Sequence, residues 1–116
     1  MTKHVDVLGT KYHITRVRAE EIEEGFGGFC DPDLREIKIL RLETLPEWKE
    51  ESAKKRAARE KECLRHEIVH AFLFESGLGS NAGEAEMPWP LNEEMVDWMA
   101  IQGPKIYSAW EKAGAL

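Results

Sequence analysis

Apolar and polar residues alternate in the first third of the chain and recur with a helical period in the rest. In HVDVLGTKYHITRVR (4–18), two alternating stretches flank Gly9-Thr10. Val5, Val7, Ile14 and Val17 supply β-branched side chains, and together these features predict a hairpin. A polar stretch then runs into the glycine-rich GFGGFC (25–30). Asp31-Pro32-Asp33 is a turn signal. Leu34, Ile37 and Ile39 predict a further strand over 34–40. The expectation is a small, mostly antiparallel sheet of three or four strands.

The stretch from Glu47 to Ser76 holds neither glycine nor proline and is rich in Ala, Glu, Lys and Arg, which predicts a helix. Glu47 and Glu50 suit the dipole at its start, and Gly77 and Gly79 are stop signals. Residues 49–62 are mostly charged and read as solvated. From Cys63 onward Leu64, Ile68, Val69, Ala71, Phe72, Leu73 and Phe74 make it apolar on most faces, so this half enters the core. Residues 77–90 predict a loop. In LNEEMVDWMAIQ (91–102), Leu91, Met95, Trp98 and Met99 fall on one helical stripe. Gly103-Pro104 predicts a break, with KIYSAWEKAG as a short last helix. The expected fold is α+β, one domain over 1–116, its sheet packed on a long helix and a second, glutamate-bearing one.

Composition narrows the function. The 116 residues fit one domain, and 42% apolar with 33% charged residues reads as globular. A net charge of −6 argues against nucleic acid as a partner. No apolar run approaches a membrane span, and MTKHVDVLGT lacks the apolar stretch of a signal peptide. Cys30 and Cys63 form no CxxC pair, so two reduced thiols in a cytoplasmic protein are expected.

The chemistry begins at LRHEIVHAFLFESG (64–77). On a helix His66 and His70 lie on one face, about 6 Å apart along the axis. Their rings can converge on one ion, and Zn²⁺ accepts neutral imidazole nitrogens. Glu67 points to an adjacent face, from which it can reach a water as a general base. This motif arises by chance in roughly 2% of chains of this composition. A third ligand decides its meaning. Glu93 and Asp97 share a face of the next helix, so Glu93 can complete the site and Asp97 can accept the second N–H of a ligand imidazole. Glu84, Glu86 and Glu94 are rival third ligands.

HEIVH (66–70) followed by NEEMVD (92–97) resembles the gluzincin metallopeptidases, whose pattern is HExxH and then NExxxD on a later helix. The resemblance implies that His66, His70 and Glu93 are the zinc ligands, that Glu67 is general base and acid, and that Asp97 orients a histidine. In size and layout the chain looks like the minimal, single-domain zincins of prophages and some prokaryotes. At this length it is expected to lack the C-terminal helical domain of the large members. It also offers no obvious oxyanion stabiliser, for which Tyr107, Tyr12 and His13 are candidates.

The implied activity is hydrolysis of a peptide or protein substrate. The 34–40 strand, with GFGGFC leading into it, is the expected edge for an extended peptide. Trp89 either lines a pocket or anchors its loop. Cys30 is either a buried thiol or a latent thiolate ligand. Two alternatives stand beside a general peptidase. One is a non-catalytic zinc module; the other is a dedicated protease for one partner protein in a phage or mobile element.

Overall fold

The computed structural model describes residues 3–78 and 88–116. Strands β1 (His4–Val7) and β2 (Thr10–Val17) form the expected hairpin, closed by Leu8 and Gly9 rather than by Gly9-Thr10. Both turn residues have positive φ, 52° and 87°, as a two-residue turn matched to strand twist requires. Leu8 carries this conformation at a cost of about 1–2 kcal/mol.

β3 (Gly28–Asp31) and β4 (Glu36–Leu40) pair antiparallel across the Asp31-Pro32-Asp33 turn, where Asp31 Oδ1 accepts from the backbone N–H groups of Asp33 and Leu34. The sheet order is β1-β2-β4-β3, with β2 and β4 parallel. The sheet is therefore mixed, though mostly antiparallel. The 34–40 segment is not the edge expected from its sequence. β4 lies between β2 and β3, and β3 is the edge strand on that side.

Alternation places Val7, Tyr12, Ile14, Ile37 and Ile39 on one face of the sheet, where they form the core with Ala71. Cys63, Leu64 and Ile68 pack against that core from helix α2 (Ala53–Glu75). Two polar links fix α2 on the sheet. The Tyr12 hydroxyl donates to Glu75 Oε2 at 3.3 Å, and buried Glu60 accepts from Arg16 and from the backbone N–H of Leu42.

The predicted helix over 47–76 is divided. A single turn, α1 (Pro46–Lys49), precedes α2, which starts afresh at Ser52, whose side chain accepts from the Lys55 N–H. Arg56 donates to the carbonyls of Trp48, Lys49 and Glu51, so the end of α1 is satisfied by a side chain instead of by more helix.

The second long helix, α3 (Glu93–Ala113), does not break at Gly103-Pro104. It buries Val96 and Ala100 and leaves Leu91 ahead of it, Trp98 and Met99 outside, 43–55% exposed. The sequence stripe thus marks the wrong face. Among the described residues α3 packs mainly on α2. No helix among the described residues is long and apolar enough to cross a membrane.

Candidate metal centre

His66 and His70 project from α2 toward α3 and the single 3₁₀ turn before it, Trp89–Leu91. Asn92 caps α3 by accepting from the Met95 N–H, which places Glu93 at the first helical position. Four residues on, Asp97 lies on the same side of α3.

The two imidazoles meet through their Nε2 atoms, 3.1 Å apart. Glu93 faces both: Oε2 lies 3.0 Å from His66 Nε2 and Oε1 lies 2.9 Å from His70 Nε2. Behind the rings, His66 Nδ1 is 2.6 Å from Asp97 Oδ1, and His70 Nδ1 is 2.6 Å from the Pro90 carbonyl. Carboxylate and carbonyl oxygens only accept, so both Nδ1 atoms must donate. In neutral imidazoles this leaves both Nε2 atoms as lone pairs. Burial lowers the pKa of His70, and the opposing pull of the Pro90 carbonyl and Glu93 is smaller.

The result is a small region bounded by two nitrogen lone pairs and a carboxylate, with no donor of its own. Such a convergence of acceptors is satisfied by a cation. Tetrahedral ligands at zinc bond lengths lie about 3.3 Å apart, close to the separations found. Imidazole and carboxylate are also a donor set that zinc accepts. The residues therefore fit the ion that the motif implies.

Glu67 stands beside this centre. One ligand atom each of His66, Glu67 and His70 lies within 4.8 Å of the others, so these three alone form a group able to hold a metal. The shorter distances favour Glu93 as the third ligand, since Glu67 Oε2 is 4.0 Å from His66 Nε2. Glu67 is 7% exposed. Burial pushes its carboxyl up to about 7; the charges of Glu93 and Asp97 act in the same direction, and His66 opposes them.

Glu67 can sit there because β3 begins with glycine. A Cβ on Gly28 would lie 3.0 Å from Glu67 Cγ and 3.0 Å from the Lys38 carbonyl. The edge strand thus runs against the helix that carries His66 and His70. A cleft of about 1250 Å³ opens along this junction, lined by the five polar residues of the centre, by β3 and by Trp48 of α1.

Several other expected residues are not brought to the centre. Tyr107 is 56% exposed on α3, ten residues beyond Asp97, or about 15 Å along the axis. Tyr12 is buried in the core with its hydroxyl on Glu75, and His13 is exposed on β2. Trp89 is 59% exposed and neither lines the cleft nor anchors in the core. Glu94 is exposed on α3, and Glu84 and Glu86 fall outside the described residues. Cys30 lines the cleft, but burial and then the charge of Glu67 push its thiol up to about 12, which opposes ligation as a thiolate. The Pro90 carbonyl is a partner that residue types do not reveal. Its only trace in the sequence is the pair of prolines in PWP (88–90) ahead of NEEMVD.

Comparison of the chain with protein-family models, curated proteins and solved structures gave no match.

Proposed function

We propose that this protein is a zinc-dependent peptidase of a minimal, gluzincin-like kind. The observation that carries the reading is the acceptor-only convergence of His66, His70 and Glu93, with the buried carboxyl of Glu67 beside it on an open cleft. Zinc bound there would acidify a water and polarise a substrate carbonyl. His66, His70 and Glu93 would hold it. Asp97 and the Pro90 carbonyl keep the two rings in the tautomer that ligation needs.

Glu67 has the position and the pKa of a general base. A carboxyl raised to about 7 both accepts a proton near neutrality and returns it to a leaving amine. β3 supplies the platform for substrate. Its outer edge is unpaired among the described residues, and Gly28, Phe29 and Cys30 line the cleft, so an extended peptide can add to it as a strand. This role passes to β3 from the 34–40 strand.

A second reading makes Glu67 a fourth ligand and closes the site as a structural one. It rests on the 4.8 Å grouping of Glu67 with the histidines. The proton-holding environment of Glu67 works against it, because a ligand carboxylate must be ionised.

Metal analysis with site variants tests the proposal. The purified protein should carry about one zinc per chain, and His66→Ala and Glu93→Ala should lose it. The zinc form should cleave an unfolded protein substrate and stop when chelated. Glu67→Gln should keep the zinc and lose cleavage. Absence of zinc from the parent overturns the proposal, and loss of zinc from Glu67→Gln establishes the closed site instead.

A further inference from the structure

The cleft has a charge quite unlike that of the chain as a whole. Overall, acidic residues outnumber basic ones by 22 to 16. Along the cleft, eight side chains are carboxylates and one, Arg59, is a cation. Three of the eight belong to the metal centre. Of the remaining five, Glu20 is paired with Arg18 and Glu62 with Arg59. Glu23, Glu24 and Glu47 have no ion-pair partner among the described residues.

These three carboxylates line the cleft and are exposed. Glu23 and Glu24 lie in the segment that leads into β3, and Glu47 is on α1. The same lining includes the apolar Ile22, Leu45 and Trp48. One zinc ion offsets only part of the negative charge. A ligand entering here meets apolar side chains together with uncompensated negative charge.

We propose that the cleft selects extended peptide segments bearing Lys or Arg side chains among apolar ones, with Glu23, Glu24 and Glu47 as the selecting residues. This deepens the peptidase reading and rests on the cleft being its substrate site. A basic side chain on an extended peptide gains an ion pair at these positions, and an acidic one meets like charge. Because Glu23, Glu24 and Glu47 are exposed, the preference weakens as salt is added.

Binding rather than cleavage tests it. The probes are two fluorescein-labelled peptides of about ten residues, one alternating Leu and Lys, the other Leu and Glu. Each is titrated by anisotropy into the Glu67→Gln protein supplied with equimolar zinc, at low salt and again at about 0.5 M. The Leu–Lys peptide should bind at least about tenfold tighter at low salt, which is what three exposed ion pairs together supply. Raising the salt should remove most of that margin. The triple change Glu23→Gln, Glu24→Gln and Glu47→Gln should abolish it. A matched change of Glu36, Glu94 and Glu111 to Gln, outside the cleft, should leave it. Equal binding of the two peptides overturns the inference, as does a margin lost equally in both triple variants. Zinc content, measured on the same samples, reports separately on the peptidase reading: a zinc-loaded protein with no Lys preference sinks only the selectivity.

Discussion

Arg65 of α2 donates from Nε to the carbonyl of Ala100 on α3, at 2.8 Å. That carbonyl lacks its helical partner, because residue 104 is a proline with no N–H to give. Ala100 is 2% exposed, so water does not replace the missing donor. The side chain next to His66 in sequence thus supplies the hydrogen bond that lets α3 run on through Pro104. The same bond ties together the two helices that carry His66, His70, Glu93 and Asp97.

Arg65→Ala should therefore cost about 1–3 kcal/mol, the range for leaving a buried acceptor unsatisfied. In a Pro104→Ala background the new N–H takes that carbonyl, and the cost of Arg65→Ala should fall. A double-mutant cycle by urea unfolding checks this, with a non-zero coupling as the expected result.

Glu67 should give the metal-free protein a distinctive pH dependence. Its folded pKa, about 7, lies above the ordinary 4.5 of the unfolded chain. Between these values the folded state holds the proton more firmly, so the unfolded state binds fewer protons and stability falls as pH rises. Below 4.5 both states are protonated and the penalty vanishes. The fall should reach up to about 3 kcal/mol above pH 7. Glu67→Gln should remove it. Chemical unfolding across this pH range in the presence of chelator is the measurement.

Asp97 should matter to zinc without touching it. Asp97→Asn can present its amide nitrogen to His66 Nδ1 and so favour the wrong tautomer. Its expected effect is a 10–100-fold loss of zinc affinity, as is usual for such supporting partners. Competition with a chromophoric chelator reads this directly, and circular dichroism should show an unchanged fold.

Gly28→Ala should separate the position of Glu67 from the binding of metal. The added methyl meets Glu67 Cγ and the Lys38 carbonyl at 3.0 Å, so side chain or strand must yield. Zinc content should stay near that of the parent, while kcat on a peptide substrate falls by about tenfold or more, the usual scale for a misplaced general base. Circular dichroism and urea unfolding of the variant check for simple damage to β3.

HEIVH carries its meaning in local geometry. A spacing of four puts two histidines on one helical face whatever the rest of the chain does, and the apolar character of residues 63–74 points to the half of the helix that packs on the core, although Phe72 stays exposed. NEEMVD is legible for the same reason, because Asn92 caps the helix and sets Glu93 and Asp97 one turn apart. The hairpin over 4–17 and the turn at Asp31 follow from alternation and turn chemistry.

Other features depend on which element lies beside which, and no local pattern encodes that. Alternation makes residues 34–40 a strand but does not say that β2 pairs with it in parallel and leaves β3 at the edge. The apolar stripe of residues 91–99 points to burial, yet among the described residues α3 packs mainly on α2, and Val96 and Ala100 are the residues it buries. Pro104 forecasts a break that Arg65, distant in sequence, makes unnecessary. The Pro90 carbonyl is a backbone atom that every residue possesses, and only its placement 2.6 Å from His70 makes it part of the centre. The sequence by itself determined the donor types and their spacing, since those are properties of single helices. Only the tertiary structure decided that the donors converge, which tautomers they hold, and which strand and charges border the cleft, because each depends on contacts between elements far apart in the chain.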